Sequence, residues 1–319
     1  MKLLKNADGT PLHKNRNHAC TIPANFFVST NFTDFHLLQQ YTAEGHEIAD
    51  HTMTHTTGES TTAATWLAEI RGARTTYANL GILSKSNIVG FRAPFLAVNG
   101  AMFDTLNSST SSEPKFLYDS SISEGFGRLS TSRSAFIWPY TFDVPGAQQC
   151  FVGTCPTQPV RGLWEIPIWD WYNDQNVLVA GMDPQGTRAD QLALFKGTFN
   201  ARYNGNRAPM GFYIHPAWAA NDDNVGAFNE FAEWALAQAN VWFVTNRQLL
   251  AWVANPVAAT ASSNFAPCPT KPIGTTEVCD GWDNDNDGLV DEGVTRSCSY
   301  NEGSFSTCAA ACPATYPKP

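Results

Sequence analysis

The sequence predicts an α/β protein built on a parallel sheet or an α/β barrel, followed by a small cysteine-rich module. Up to residue 258, short apolar runs of strand composition alternate with segments of helical periodicity, a pattern that favours parallel strands joined by helices. Beyond this point the sequence turns to Ala, Ser, Thr, Pro and Cys, and five of the eight cysteines lie after residue 267. We therefore divide the chain into residues 1–258 and residues 259–319.

The apolar pattern places the elements of the first region in order. Strands are predicted at residues 25–29, 88–91, 162–168, 210–214 and 241–245, and helices at residues 62–80, 190–203, 225–239 and 246–253. In the first of these helices, Trp66, Ile70, Ala73 and Tyr77 share one face, as expected of an amphipathic helix that packs on a core. In a parallel sheet or barrel of this kind, the chemistry is expected at the carboxyl ends of the strands.

Composition excludes some classes of function. Lys and Arg total 20 against 29 Asp and Glu, so the net charge of −9 would repel a nucleic acid. No apolar stretch reaches the length of a membrane span, and the polar start shows no export signal. The cysteine density of the tail nevertheless indicates disulfides and an oxidising compartment, whereas a metal site there would lack histidine and paired C-x2-C spacings. We expect an extracellular protein.

A pair of histidines is the first candidate site. His51 and His55 are spaced so that one turn can aim both imidazoles at a divalent ion such as zinc. Any two histidines four residues apart satisfy this rule, so the spacing alone leaves a purely structural role open. Three other motifs follow predicted strands, at residues 90–95, 164–171 and 211–218.

Together the four motifs resemble a known family. They read H-T-x-x-H at residues 51–55, R-A-P-F at 92–95, W-E-x-P-x-x-x-W at 164–171, and a strand that ends in a histidine at 215. In this order they resemble carbohydrate esterase family 4, the NodB-type polysaccharide deacetylases, and within it the chitin deacetylase-like branch. The resemblance covers roughly residues 15–256. It implies a distorted (β/α) barrel that uses a divalent metal, often zinc, to hydrolyse the N-acetyl groups of N-acetylglucosamine polysaccharides such as chitin.

The resemblance also implies roles for single residues. By position, His51 and His55 would be metal ligands, Arg92 would orient a catalytic carboxylate, and His215 would protonate the departing amine. Either Asp170 or Asp174 would tune the imidazole of His215, a position at which this branch varies.

A sugar-binding groove is implied beside these groups. Pro94 and Phe95 would form one wall and Trp169 and Trp171 the other, with flat aromatic faces against the pyranose rings. The alternative interpretation places the tryptophans in the core and Arg92 in a surface ion pair.

One family motif has no counterpart. The T-F-D-D sequence, which carries the catalytic base and a third metal ligand at the end of the first barrel strand, does not occur here. Either the sequence as given begins about ten residues after this pair, or the site is degenerate. Because a barrel without one strand exposes two edges, we favour the first explanation and expect a barrel that lacks its first strand. Without the aspartates we expect this chain to be nearly inactive. The alternative function is a catalytically inactive, polysaccharide-binding matrix protein.

The tail contains a second candidate metal site. Asp283, Asp285 and Asp287 alternate and are followed by a glycine, the D-x-D-x-D-G arrangement whose oxygens wrap a calcium ion. The twelfth position is valine rather than the glutamate of a full EF-hand, so Asp291 or Glu292 would close the site. The segment is similar to short calcium loops of extracellular proteins, and we expect a structural clamp. A solvated acidic turn is the alternative.

Overall fold

The computed structural model describes residues 3–127, 136–146, 149–173, 178–258 and 267–317. The strands are β1 (Asn25–Val28), β2 (Glu47–Asp50), β3 (Gly90–Phe91), β4 (Ala97–Val98), β5 (Tyr118–Asp119), β6 (Tyr140–Thr141), β7 (Val152–Gly153), β8 (Trp164–Glu165), β9 (Trp171–Tyr172), β10 (Leu178–Ala180), β11 (Arg296–Tyr300) and β12 (Gly303–Thr307). The helices are α1 (Phe35–Ala43), α2 (Ala63–Leu80), α3 (Gly100–Asn107), α4 (Glu124–Gly127), α5 (Arg188–Tyr203), α6 (Asp222–Leu236) and α7 (Asn246–Ala254).

The central sheet has six strands in the order β1-β2-β3-β5-β8-β6. Its first five strands are parallel, and β6 pairs antiparallel with β8. Helices join successive parallel strands, as α1 does between β1 and β2 and α2 does between β2 and β3. The predicted α/β architecture with a parallel sheet is therefore confirmed.

Two predicted strands do not form ladders. Residues 210–214 and 241–245 lie outside the strands of the described part of the chain. The outer edge of β1 has no partner strand in the described sheet, and a cavity of about 1520 Å³ is lined by β1 and by residues 210–214 and 241–244. The prediction of paired strands at these positions was wrong, because apolar composition does not show whether a neighbouring strand is available for pairing.

The helices begin and end close to the predicted residues because their ends carry local signals. The side chain of Thr62 accepts a hydrogen bond from the amide of Thr65 at the start of α2. Reciprocal capping boxes start α5, with Thr187 and Asp190, and α7, with Thr245 and Gln248. The predicted inner face of α2 is fully buried.

The tail is stapled by disulfides and packs on the first region. All eight cysteines are paired, as Cys20–Cys268, Cys150–Cys155, Cys279–Cys308 and Cys298–Cys312. The β11–β12 hairpin packs on α1, where the ring of Phe305 lies edge-on to the ring of Phe35, with 4.8 Å between centroids. The interpretation of the tail cysteines as disulfides is therefore confirmed. Within the described residues, no helix combines the length and apolarity needed to cross a membrane.

Candidate active site

The two candidate metal ligands lie on one loop at the carboxyl end of β2. We call residues 51–55 the histidine loop. Thr52 and His55 adopt left-handed backbone conformations, with φ of 69° and 56°. Residues other than glycine rarely adopt such conformations. The resulting turn brings the imidazole rings of His51 and His55 together, with 4.8 Å between their centroids.

His51 has the protonation state and tautomer that a metal ligand needs. Its Nδ1 donates a hydrogen bond of 2.8 Å to the carbonyl oxygen of Arg92, which leaves the lone pair of Nε2 available. Burial is the main reason that the pKa of His51 falls to about 3, and the hydrogen bond to the backbone of Arg92 opposes this fall only in part. The imidazole is therefore neutral at physiological pH.

Arg92 is buried beside this loop. Its Nε donates to the carbonyl oxygen of Ser120 at 2.7 Å, and its Nη2 donates to the hydroxyl of the same serine at 2.8 Å. The guanidinium also lies over the ring of Phe27, 3.8 Å from its centroid. Burial lowers the pKa of Arg92 from its ordinary value, but a cation held by these contacts remains charged.

A buried pair of acids supports the R-A-P-F segment and was not predicted. Asp119 and Glu165 face each other on β5 and β8, and both are fully buried. Burial raises the pKa of Asp119 to about 6 and that of Glu165 well above its ordinary value. The hydroxyl of Ser121 donates to Asp119 at 2.6 Å and accepts from the amide of Ala93 at 2.8 Å. The pair thereby holds the backbone next to Arg92.

His215 is exposed and is oriented by a carboxylate that sequence reasoning missed. Its Nδ1 donates to Oδ2 of Asp183 at 2.5 Å, and its backbone amide donates to Oδ1 at 2.7 Å. Asp170, the predicted partner, instead accepts hydrogen bonds from Ser123 and Gly125, and the other predicted partner, Asp174, lies outside the described residues. Asp183 is 32 residues from His215, and we find no motif that would have indicated it.

The predicted groove walls are only partly in place. Phe95 is 62% exposed, and its ring lies 4.9 Å from that of His55, while Pro94 is buried beside it. Trp171 is fully buried between Phe195 and Phe212, so its assignment to the sugar-binding wall was wrong.

Trp169 does not present an open face either. It is 4% exposed, its Nε1 donates to the carbonyl oxygen of Ile137 at 2.8 Å, and it packs with Ile166 and Leu250. Only part of its surface lines the large cavity. Trp169 lies between β8 and β9 and Trp171 is the first residue of β9, and both side chains are buried.

The two histidines of the histidine loop can supply two of the protein ligands of a metal site. His51 and His55 each offer an imidazole nitrogen, and the hydrogen bond to Arg92 sets the tautomer of His51. In the part of the chain that the structure describes, the clusters of three or more potential ligands within 4.8 Å of one another do not include either histidine. Asp50, next to His51, is fully buried, accepts from the amide of Thr52 at 2.8 Å, and has its pKa raised to about 8 by burial.

The acidic loop of the tail gathers carboxylates in two overlapping groups. Asp283, Asp285 and Asp287 have oxygens within 4.8 Å of one another, and so do Glu277, Asp285 and Glu292. Four of the five residues predicted to bind calcium therefore lie in these groups, namely Asp283, Asp285, Asp287 and Glu292. Glu277, which was not predicted, lies with them.

Asp291 is the exception among the predicted calcium ligands. It is fully buried and accepts hydrogen bonds from the amides of Asp280 and Gly281, at 3.1 and 2.9 Å. It also accepts one from Nε2 of His36 at 2.7 Å. This carboxylate therefore attaches the tail to α1, and of the two predicted alternatives for closing the acidic loop, Glu292 is the one that lies within the carboxylate groups.

Comparison with known proteins defines the class of the domain. Residues 18–110, which include β1, β2, β3 and the histidine loop, match the family model for polysaccharide deacetylase. The chain therefore contains a domain of the polysaccharide deacetylase family, and the matched region includes two of the four motifs, at residues 51–55 and 92–95.

The chain is also a homologue of two insect proteins. It is 33% identical to chitin deacetylase 1 of Bombyx mori over 272 residues, which are 80% of this chain and 48% of that protein. It is 28% identical to chitin deacetylase 8 of Bombyx mori over 255 residues, which are 76% of this chain and 65% of that protein. The chain thus spans about half the length of the first relative and less than two thirds of the second.

The α/β fold is shared with a solved structure. The crystal structure of PuuE allantoinase aligns with a TM-score of 0.51 at 17% identity and covers 74% of this chain and 68% of that chain. At this level of identity the likeness concerns the fold alone.

Proposed function

We propose that this protein hydrolyses the N-acetyl groups of an N-acetylglucosamine polysaccharide, with chitin as the preferred substrate. One observation carries the proposal: His51, His55 and His215 line the same cavity, and His215 is held by a carboxylate. The chitin deacetylases of Bombyx mori support the choice of chitin.

The side chains divide the work of this reaction. His51 and His55 would hold a divalent ion, zinc in our proposal, which when bound activates water and polarises a carbonyl group. His215, with Nδ1 engaged by Asp183, can deliver a proton from Nε2 to the amine nitrogen that leaves the acetyl group. Asp183 orients this imidazole, and the exposed ring of Phe95 can stack on a sugar ring. Arg92 supplies a fixed positive charge at the base of the site.

Acetate release tests the proposal. The chain would be incubated with N-acetylglucosamine pentamer after removal of metals with a chelator and readdition of zinc. We expect slow, zinc-dependent release of acetate, because the aspartate pair is missing, and a further fall in His215→Ala, because general acid catalysis is then lost as well. His18→Ala, which changes a histidine in contact with Trp242, is the matched control and should behave as the parent chain. Zinc-independent release, or equal release by both variants, would contradict the proposed chemistry.

Binding without hydrolysis is the second candidate function. It is favoured by the two-imidazole donor set of the described residues, since structural and catalytic zinc sites ordinarily have at least three protein ligands. Under this alternative the chain retains the pentamer with zinc present but releases no acetate, and Phe95→Ala weakens the retention.

We also propose an extracellular location and a calcium ion in the tail. Four disulfides require an oxidising compartment for their formation. The acidic loop has two groups of carboxylates that share Asp285, and these offer the oxygen ligands that calcium prefers. Recovery of the protein from culture medium, with no free thiols, tests the location.

A further inference from the structure

A single carboxylate on α2 holds the backbone between the two histidines. Glu69 is 4% exposed, and its Oε2 accepts hydrogen bonds from the amides of Met53 and Thr54, both at 2.9 Å. Its Oε1 accepts a third bond, from the hydroxyl of Thr54, at 2.7 Å. All three donors belong to the histidine loop, between His51 and His55.

The loop needs such an anchor because its backbone is strained at two positions. Thr52, a β-branched residue, and His55 both have positive φ values. A conformation of this kind persists only where surrounding contacts determine it. On the side of β1, the hydroxyl of Thr30 donates to the carbonyl oxygen of Met53 at 2.9 Å. On the side of α2, Glu69 is the acceptor for the amides of Met53 and Thr54.

We propose that Glu69 is the positioning residue that fixes the relative orientation of the two imidazoles and so sets their affinity for a divalent ion. The inference rests on the proposed metal role of His51 and His55 and adds to it a residue outside every motif described above. Glu69 touches neither imidazole nor any reacting group. It acts through the backbone of Met53 and Thr54, so its loss should change the affinity for the metal before it changes the fold.

Two substitutions separate the hydrogen bonds from the charge. In Glu69→Gln the amide oxygen can accept from both backbone amides, and the amide nitrogen can donate to the hydroxyl of Thr54. Glu69→Met has a similar length and no strong acceptor, so it leaves both backbone amides without a partner. Glu230→Met is the matched control, since Glu230 is an exposed glutamate of α6 whose ion-pair partner is Arg188.

The zinc affinity of each full-length variant would be measured by competition with a coloured chelator, below the unfolding temperature of all of them. We expect Glu69→Met to bind zinc roughly 10- to 100-fold more weakly than the parent chain, the range typical for residues that support metal ligands. Glu69→Gln and Glu230→Met should bind like the parent chain. Hydrogen exchange should show faster exchange of the Met53 and Thr54 amides in Glu69→Met, with the amides of α5 and α6 unchanged.

The outcomes are distinguishable. Equal zinc affinity of Glu69→Met and the parent chain would overturn the inference and leave the proposed function standing. Faster exchange throughout α5 and α6 in Glu69→Met would show a general structural role and would also overturn it. A parent chain that binds no zinc would overturn the proposed metal role and, with it, this inference.

Discussion

Trp171 and Phe95 have the same predicted role but opposite positions in the structure, so their substitution should have opposite effects. Trp171 is fully buried, with its ring 4.8 Å from that of Phe195 and 4.6 Å from that of Phe212. Trp171→Ala should lower the free energy of unfolding by about 3–5 kcal/mol, the usual cost of deleting a buried tryptophan or phenylalanine. Phe95 is 62% exposed, so Phe95→Ala should change that free energy by less than about 0.5 kcal/mol.

Sugar binding should depend on Phe95 and not on Trp171. A sugar ring stacked on Phe95 contributes on the scale of an aromatic contact, roughly 0.5–1.5 kcal/mol, so Phe95→Ala should weaken pentamer binding by about 2- to 10-fold. Urea unfolding followed by fluorescence measures the stability, and calorimetric titration with the pentamer measures the binding. The burial argument would be refuted by a Trp171→Ala variant that has the stability of the parent chain but has lost its affinity for the sugar.

Three further predictions concern His215, His46 and the tail. Asp183→Asn keeps the size of the residue that contacts His215 but removes the carboxylate charge. The rate of acetate release should fall more than about 10-fold at unchanged KM. An unchanged rate would exclude a role for Asp183 in proton delivery. Burial lowers the pKa of His46 to about 4, and its Nδ1 accepts a hydrogen bond from the amide of Ala24 at 3.1 Å. Between pH 6.5 and 4, His46 therefore takes up a proton only in the unfolded chain. Stability to urea should therefore fall by up to roughly 3 kcal/mol as the pH falls through this range, and His46→Asn should remove most of that slope. Calcium at about 1 mM should raise the melting temperature of the parent chain. Asp285→Asn changes a carboxylate that belongs to both acidic groups, so it should abolish this rise. An equal rise in the variant and the parent chain would place the ion elsewhere.

The parts of the fold that the sequence predicts well are those encoded by neighbouring residues. The inner face of α2 repeats at helical spacing, and Thr62 caps the helix from the adjacent position. The histidine loop is likewise recognisable because its two histidines lie four residues apart on one turn. Such features depend on spacing and on local hydrogen bonds, and both can be inferred from a single sequence.

Features that depend on distant partners are not predictable in this way. Residues 210–214 and 241–245 have strand composition, but a ladder also needs backbone pairing with a neighbouring edge. In the described sheet the outer edge of β1 has no partner strand, although β1 and residues 210–214 and 241–244 line the same large cavity. The motif at residues 164–171 does not show which way the side chain of Trp171 points, and only the packing of Phe195 and Phe212 around it shows that it belongs to the core.

The same distinction separates the site residues that the motifs predict from the carboxylates that the motifs do not indicate. The residues predicted to contact metal or substrate lie in four short motifs, because their chemistry demands particular side chains at fixed spacings within each motif. The carboxylates that hold them are drawn from other elements: Asp183 reaches His215 from 32 residues away, and Glu69 reaches the histidine loop from α2. A carboxylate that accepts backbone amides can be supplied by any element that passes nearby, so its position in the sequence follows from the fold rather than from the reaction. The precision of a site such as this one therefore depends on residues that no motif identifies, and the zinc affinity of Glu69→Met measures how much of it one of them provides.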